Sequence, residues 1–387
     1  MIKTFVAYTT EIDDEELAVE QIKSQLESET ALLKNSIGII ACHYEFVISG
    51  IAKAVCDAFP FDVVGTISTS QSIGKGAESL ILTIMIITSD DTEFVKVLTP
   101  SLSEEPGQKI AKSYKEAASN KSEKPALIFT FAPFMLQNSG DEYVNVITEV
   151  SDGTPCFGTM AIDSTEDFSN CFMICNGESY LDRMSMVLFY GNIQPKFYIA
   201  NISSDRILGK SAIITKSSGH MIMEVNGHSV NTFFEDIGLT KAAETQYAMS
   251  SLPFLLDYND GTPMVSKIFV TLTPERYALC AGAVPEGSTL YIAIADKDDV
   301  MLTTEQAVEK MLQDIQGASG LLIYSCISRS MTLGAGQYDE MLLINDKIAD
   351  GLPFMMACSG GEICPTQVSS SKAINRFHNN AFVACLF

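Results

Sequence analysis

Three short polar segments near the C-terminus contain residues whose side chains could bind a small polar ligand. Cys326 and Arg329 follow an apolar run in LLIYSCISR, Glu362 follows another in MMACSGGEI, and the segment NRFHN precedes the last apolar run. An arginine guanidinium binds a carboxylate through two hydrogen bonds, and a glutamate accepts hydrogen bonds from an amine. A zwitterion such as an amino acid would satisfy both groups. The predicted ligand-binding residues are therefore Cys326, Arg329, Glu362, Arg376, His378 and Asn379.

Other interpretations of the same residues stay open. Arg329 and Glu362 could form an internal ion pair that only stabilises the fold. Cys326 could be the nucleophile of a hydrolase or transferase, activated by Arg329 or His378, or could simply pack in the core. A haem iron would need an axial ligand, for which His43 and His378 are the candidates. We predict no catalytic residue, no metal and no resident cofactor, because no CxxC, HExxH, GxSxG or phosphate-binding glycine motif is present.

The polar segments follow strands in a pattern of alternating strands and helices. In the first 90 residues FVAYTTEI, SIGIIACHYEF, FDVVGTIST and SLILTIMIITSD have the composition of strands, and helical periodicity separates the first three. A similar order recurs in the middle of the chain and again from residue 289, where Thr303 or Thr304 would cap a helix. Parallel strands place their carboxyl ends at one sheet edge, where ligands of α/β proteins bind. The predicted fold class is α/β, with mixed β-sheets flanked by helices and built from repeated β-α-β-α-β-β units.

A β-rich connector, from about residue 185 to residue 284, interrupts these units. Strand-like runs such as KFYIANIS and SAIITKSS dominate it. Asn226 and Gly227 lie between alternating apolar residues, which predicts a tight hairpin. The segment KAAETQYAMSSL at 241–252 has the periodicity of a helix. We expect the connector to pack between or across the repeated units.

The composition excludes some classes of partner. A formal net charge of -23 repels phosphate backbones, so no nucleic acid is expected to bind. No apolar run approaches the ~20 residues of a membrane span, and the N-terminus lacks the pattern of a signal peptide, so no membrane insertion is expected. The ten cysteines lie mostly within apolar runs, which is typical of free thiols in a cytoplasmic protein.

At these motifs the chain resembles the FIST family. The C-terminal FIST pattern is a strand ending in SCxxR, a GLPF turn, GEI followed by Pro, and a His-Asn pair before the final strand. This chain carries these motifs at 325–329, 351–354, 361–365 and 378–379. The N-terminal FIST domain is resembled by FDVVGTISTSQSIGKG and CFGTMAIDSTEDF. Ser70 and Gln71 stand where many members have a Gly-Glu pair.

The resemblance implies two domains and a sensory role. Residues 1–240 would form a FIST N-terminal-like domain with two repeat units and the connector, and residues 241–387 a FIST C-terminal-like domain. The family implies an intracellular signal-transduction module that binds small ligands such as amino acids, and haem-binding gas sensors among its relatives keep that alternative open. With no room for a kinase or cyclase domain, the output is expected to pass to a separate signalling protein.

Overall fold

The computed structural model describes the chain except for residues 28–31, 75, 135–138, 166–167, 239–252, 349–351 and 370–371. The helix predicted at 241–252, the domain boundary at 240–241 and the first residue of the GLPF turn therefore lie outside the described residues. Within the rest, the strands form four sheets. Three of them have six strands each and combine parallel with antiparallel pairs, so the predicted mixed α/β fold class is confirmed.

The first unit covers residues 2–89 and alternates strands with helices, as its apolar pattern predicts. Its elements are β1 (Ile2–Thr9), α1 (Glu15–Glu27), β2 (Asn35–Cys42), α2 (Tyr44–Ile48), α3 (Ile51–Asp57), β3 (Val63–Ile67), β4 (Gln71–Ile73), β5 (Gly76–Glu78) and β6 (Leu82–Ser89). Strands β2 and β3 are parallel, and β6 lies antiparallel between β1 and β2. The helices cover one face of this sheet, because Ala18, Ile22 and Val55 pack against Ile40 and Ile84.

The second unit covers residues 93–190 and has the same order. Its elements are β7 (Glu93–Leu98), α4 (Pro106–Ala118), β8 (Leu127–Ala132), α5 (Gly140–Val150), β9 (Cys156–Met160), β10 (Met173–Cys175), β11 (Glu178–Tyr180) and β12 (Ser185–Tyr190). Strands β8 and β9 are parallel, and β12 lies antiparallel between β7 and β8. Ile110 of α4 and Tyr143 of α5 pack on the outer face of this sheet.

A closed barrel follows β13 (Lys196–Ala200), the first strand of the third unit. Its elements are β14 (Ile207–Ser218), β15 (Met221–Val225), β16 (His228–Ser229), α6 (Val230–Asp236), β17 (Pro253–Asp257), β18 (Val265–Leu272), β19 (Ala278–Cys280) and β20 (Thr289–Ala293). Pairing between β14 and β15 closes the order β14-β20-β17-β18-β19-β15. This barrel covers most of the predicted β-rich connector, but the predicted bounds of about 185–284 are wrong at both ends. Strands β12 and β13 belong to the sheets of the second and third units, and β20 joins the barrel instead of starting the third unit. The predicted hairpin at Asn226 and Gly227 joins β15 to β16.

The third unit then continues to the C-terminus. Its remaining elements are α7 (Lys297–Asp314), β21 (Leu321–Cys326), α8 (Ile327–Leu333), α9 (Asp339–Ile348), β22 (Phe354–Ser359), β23 (Glu362–Val368), β24 (Ala373–His378) and β25 (Phe382–Leu386). Short 3-10 helices lie at Ser204–Arg206 and Gly334–Gly336. The prediction that Thr303 or Thr304 caps the first helix is wrong. Helix α7 begins at Lys297, because the Asp296 side chain accepts a hydrogen bond from the Asp299 backbone N–H.

Each unit contributes a hairpin to the sheet of another unit. The hairpin β4–β5 follows β3 but pairs with β22, β10–β11 follows β9 but pairs with β3, and β23–β24 follows β22 but pairs with β9. We call these three the exchanged hairpins. Since the first unit completes the third, the third completes the second and the second completes the first, the exchange forms a closed ring.

The three six-stranded sheets surround one apolar cluster, which we call the central core. Ile39, Phe129 and Tyr324 represent the three units in it. The carboxyl ends of β3, β9 and β22 meet at one end of this core: the Ser68 hydroxyl donates to the Cys358 carbonyl at 2.9 Å, and the Gly360 N–H donates to the carbonyl of Met160 at 2.9 Å. The polar segments singled out from the sequence lie at this end.

Candidate functional site

Two parallel strands of the third unit bring the SCISR and GGEI segments to one sheet edge. Strands β21 and β22 are neighbours in parallel register, with Cys326 opposite Ser359. The chain then turns at Gly361 (φ +154°), where a Cβ atom would lie 2.3 Å from the Phe377 ring. Only glycine fits this close approach, and the turn carries Glu362 to the start of β23.

Arg329 makes an internal ion pair with Glu340, not with Glu362. Its Nε and Nη2 donate to Glu340 Oε1 at 3.0 and 2.9 Å, and both side chains are buried. Nη2 also donates to Thr304 Oγ1 at 2.7 Å and to the carbonyl of Val300 at 3.0 Å. The pair therefore ties α8 to α7 and α9.

Glu362 is a buried carboxyl without a paired cation among the described residues. It is fully buried, and neither carboxylate oxygen makes a hydrogen bond of standard geometry to another described residue. Burial raises its pKa well above the ordinary value. The Ser359 hydroxyl, the Ala381 backbone N–H, the Cys326 thiol and the Arg329 charge each offset this rise in part. A buried carboxyl without a matched cation favours its neutral form until a cation arrives.

His378 lies directly opposite Glu362 in the β23–β24 pair. The ring is fully buried, and its Nε2 lies 3.1 Å from the carbonyl oxygen of Cys364. A carbonyl only accepts, so Nε2 carries the proton and Nδ1 is left as an acceptor without a partner. Burial lowers the pKa of this imidazole to about 3, so the ring is neutral.

The turn from β24 to β25 adds two buried amides. The Asn379 backbone donates to the Ser266 carbonyl of the barrel at 3.0 Å, while the side-chain Oδ1 of Asn379 has no partner among the described residues. Asn380 has φ +51° and accepts a hydrogen bond from Ser328 Oγ at 2.9 Å through Oδ1, but its Nδ2 is unpaired. Each of the two amides therefore has one buried polar atom without a hydrogen-bond partner among the described residues.

Cys326 lies beside Glu362 with its thiol buried. Its sulfur lies 3.2 Å from Ser328 Oγ. Burial, followed by the nearby Glu362, raises the pKa of the thiol. Both effects oppose formation of the thiolate that a cysteine nucleophile needs.

Arg376 lies at the outer rim of this group. It precedes His378 by two residues on β24, so both side chains emerge on the same face. Its Nη2 is 2.5 Å from Asp260 Oδ2, and its guanidinium lies 4.1 Å from the centroid of the Tyr258 ring. The side chain is 17% exposed, whereas Nε is buried and unpaired. The group therefore runs from a solvent-accessible cation to a fully buried carboxyl.

The structure thus places five of the six predicted residues in one group. The sixth, Arg329, instead forms an ion pair with Glu340. The five are Cys326, Glu362, Arg376, His378 and Asn379. Most of the unpaired atoms are acceptors, which suits a ligand that supplies N–H or O–H groups.

Sequence reasoning missed a second buried ion pair and one polar residue. Lys267 of the barrel is fully buried and donates to both carboxylate oxygens of Asp141 at 3.0 and 2.9 Å, and to the Phe377 carbonyl at 2.8 Å. A lysine within the apolar run MVSKIFV was the available signal. Gln71 is buried with an unpaired Oε1, and its place at the Gly-Glu position of many family members was the available signal.

The two haem-ligand candidates are in different surroundings. His378 is enclosed as described, whereas His43 caps α2, with Nδ1 accepting from the Glu45 backbone and Nε2 3.3 Å from Ser164 Oγ. Within the described residues, no group of three or more His, Cys, Asp or Glu side chains could hold a metal ion. Nor does that part of the chain contain a helix with the length and apolarity to cross a bilayer.

Comparison with known proteins agrees with the motifs. A family model of the FIST N domain matches residues 36–228, and one of the FIST C domain matches residues 233–365. Among solved structures, cyanuric acid hydrolase from A. caulinodans aligns over 100% of this chain and 99% of its own, with 9% identity and a TM-score of 0.38. A search of curated proteins found no match. Because the two FIST matches cover most of the sequence, this chain belongs to the FIST family of sensory, signal-transduction domains.

Proposed function

We propose that this sensory protein binds a free amino acid, with the ligand ammonium at Glu362 and the ligand carboxylate at Arg376. The observation that carries the proposal is the buried Glu362 carboxyl, which makes no hydrogen bond of standard geometry to a described residue and has no cation paired with it there. A buried polar group without a partner is costly and is rare in folded proteins. A ligand ammonium would supply both the missing hydrogen bonds and the missing charge.

The spacing of the two charged residues supports this choice of ligand. Glu362 lies opposite His378, and Arg376 lies opposite Cys364, so Glu362 and Arg376 are diagonal neighbours on one face of the hairpin. Such neighbours have Cα atoms roughly 7–8 Å apart. The two long side chains can therefore hold the two charged ends of one α-amino acid. The unpaired Nε of Arg376 is available for the carboxylate.

The neutral groups between these ends would complete the contacts. His378 Nδ1 and Asn379 Oδ1 are unpaired acceptors, and Asn380 Nδ2 is an unpaired donor. An ammonium has three N–H groups, so Glu362 and one of these acceptors can share them. In this proposal Arg329 does not touch the ligand, and its pair with Glu340 holds the strand end in place.

The output and the location of the protein are part of the same proposal. Ligand binding would alter a surface that a separate signalling protein recognises. The ten cysteines are all buried and free, which supports a reducing compartment such as the cytoplasm.

Binding is tested by isothermal titration and thermal shift with the 20 common L-amino acids. We expect at least one to bind, and a ligand at ~100 times its dissociation constant to add ~2.7 kcal/mol of stability. Glu362→Gln should abolish that stabilisation, because the amide cannot neutralise an ammonium. Glu104→Gln, at an exposed glutamate, is the matched control and should bind like wild type. Equal binding by wild type and Glu362→Gln would overturn the proposal.

A further inference from the structure

The exchanged hairpins place one residue from each unit at equivalent positions around the central core. The first residues of the three hairpins are Gln71, Met173 and Glu362. Gln71 lies opposite Ala357, Met173 opposite Thr66, and Glu362 opposite Thr159. An amide, a thioether and a carboxyl therefore occupy the same position in the three exchanged hairpins.

The Gln71 side chain is oriented towards the central core. Residues opposite each other in an antiparallel pair share a face, and Ala357, opposite Gln71, is a member of the core cluster. Gln71 is fully buried, and its Nε2 donates to the Ile81 carbonyl at 3.1 Å. Its Oε1 is buried without a partner among the described residues. One half of the amide is thus anchored, and the other half is an open acceptor.

Side chains on one face of β22 and β9 lie between Gln71 and Glu362. Ser359 follows Ala357 by two residues on β22, so both lie on the same face. Ser359 Oγ is 2.7 Å from Thr159 Oγ1, and Thr159 is the residue opposite Glu362. Gln71 and Glu362 therefore border the same end of the central core from two different units.

Resting on the proposed function, we infer that Gln71 is a specificity residue that recognises the ligand side chain through Oε1. The ligand class is then an amino acid whose side chain ends in an N–H donor, such as a carboxamide. Arg376 at the rim holds the carboxylate, and Glu362 holds the ammonium further in. The side chain continues towards Gln71, while Met173 of the central core provides an apolar wall.

An anchoring role alone does not account for this arrangement. If Gln71 served only to bind the Ile81 carbonyl, its Oε1 would remain a buried acceptor with nothing to accept. A site that offers a buried acceptor discriminates strongly against an analogue that lacks the donor. The need for an N–H donor on the ligand side chain can be tested with two amino acids of similar length, one with a carboxamide and one with a thioether.

The test is isothermal titration of the full chain with L-glutamine and with L-methionine. Wild type should bind L-glutamine at least about tenfold more tightly. Gln71→Leu should remove that preference while keeping the affinity for L-methionine. Equal affinities in wild type, or a preference that survives in Gln71→Leu, would overturn the inference and leave the proposed function standing. Binding of no amino acid by wild type would overturn both.

A second variant keeps the test decisive if Gln71→Leu does not fold. Gln71→Glu has nearly the same shape and replaces the open acceptor by a charged one. Its preference should shift from L-glutamine towards L-lysine by at least about tenfold, because a cationic side chain then meets a carboxylate. An unchanged order of affinities in Gln71→Glu would contradict a contact between residue 71 and the ligand side chain.

Discussion

Two buried ionisable groups at the same end of the third unit, the Arg329–Glu340 pair and Glu362, differ in the partners available to them. The Arg329–Glu340 pair is enclosed, and the guanidinium donates to Glu340, Thr304 and Val300. Glu362 is equally buried and has no hydrogen bond of standard geometry to a described residue. Donors lie near both glutamates, but of the two it is Glu340 that forms a salt bridge with a cation. The difference supports a structural role for Arg329 and our proposal that Glu362 binds the ligand.

Removing Arg329 tests the structural half of this comparison and should have the largest effect. Arg329→Met is expected to lower the free energy of unfolding by about 3–5 kcal/mol, because Glu340 is left buried without a cation. Urea denaturation followed by circular dichroism measures the loss. The double variant Arg329→Met/Glu340→Leu should recover much of it, since no charge then remains buried. A loss below ~1 kcal/mol in the single variant would mean that the pair does not support the fold.

Removing the Glu362 carboxyl tests the other half through pH. Its folded pKa is raised, so above pH ~4.5 the unfolded chain releases a proton that the folded chain retains. Wild type should therefore lose about 1.4 kcal/mol of stability per pH unit relative to Glu362→Gln, up to the folded pKa. Denaturation of both proteins without ligand at pH 5, 6 and 7 measures this difference. A constant difference in stability across these pH values would mean that Glu362 is ionised in the folded protein, with a counter-charge beside it.

His378 should give the opposite pH dependence. Its pKa of about 3 lies below the ordinary 6.5, so the unfolded chain binds a proton first as pH falls. Between pH 6.5 and pH 5 wild type should lose about 2 kcal/mol relative to His378→Gln. His228→Gln, at an exposed histidine, is the control, and its stability should fall with pH as that of wild type does. If both variants follow wild type, the imidazole is not buried in its neutral form.

The rim should be the least sensitive part of the site. Asp260→Asn removes the charged partner of Arg376, but the Asp260 side chain is 40% exposed and the guanidinium still stacks on Tyr258. We expect a loss of less than ~1 kcal/mol in the free energy of unfolding. Amino-acid affinity should stay equal or rise, since the guanidinium loses a competing carboxylate. A large loss of stability would make Arg376 structural, like Arg329.

The elements of the fold could be predicted from the sequence because their patterns are local. Apolar runs such as LLIYSC and FMMACS formed buried strands, and Asn226-Gly227 formed the hairpin that its residues require. The exchanged hairpins could not be predicted. Strands of three residues such as Gln71–Ile73 are too short to show a period, and their partner lies in a distant unit.

The site could be predicted only in part, for a related reason. Strand ends placed Cys326 and Glu362 at one edge, since parallel register follows from the strand-helix order. The partner of Arg329 did not follow. Glu340 lies in the first turn of a helix, where an acidic residue usually faces solvent and the helix dipole, and only the packing of α9 on α7 and α8 turns it inward.

Because of the exchanged hairpins, each six-stranded sheet contains strands from two units. Separating the chain between its FIST N and FIST C portions would strip β22 of β4–β5 and β9 of β23–β24 at the same time. Each fragment would then carry a bare strand edge, which recruits other chains and promotes aggregation. We therefore expect fragments produced together to reassemble, and fragments produced apart to precipitate.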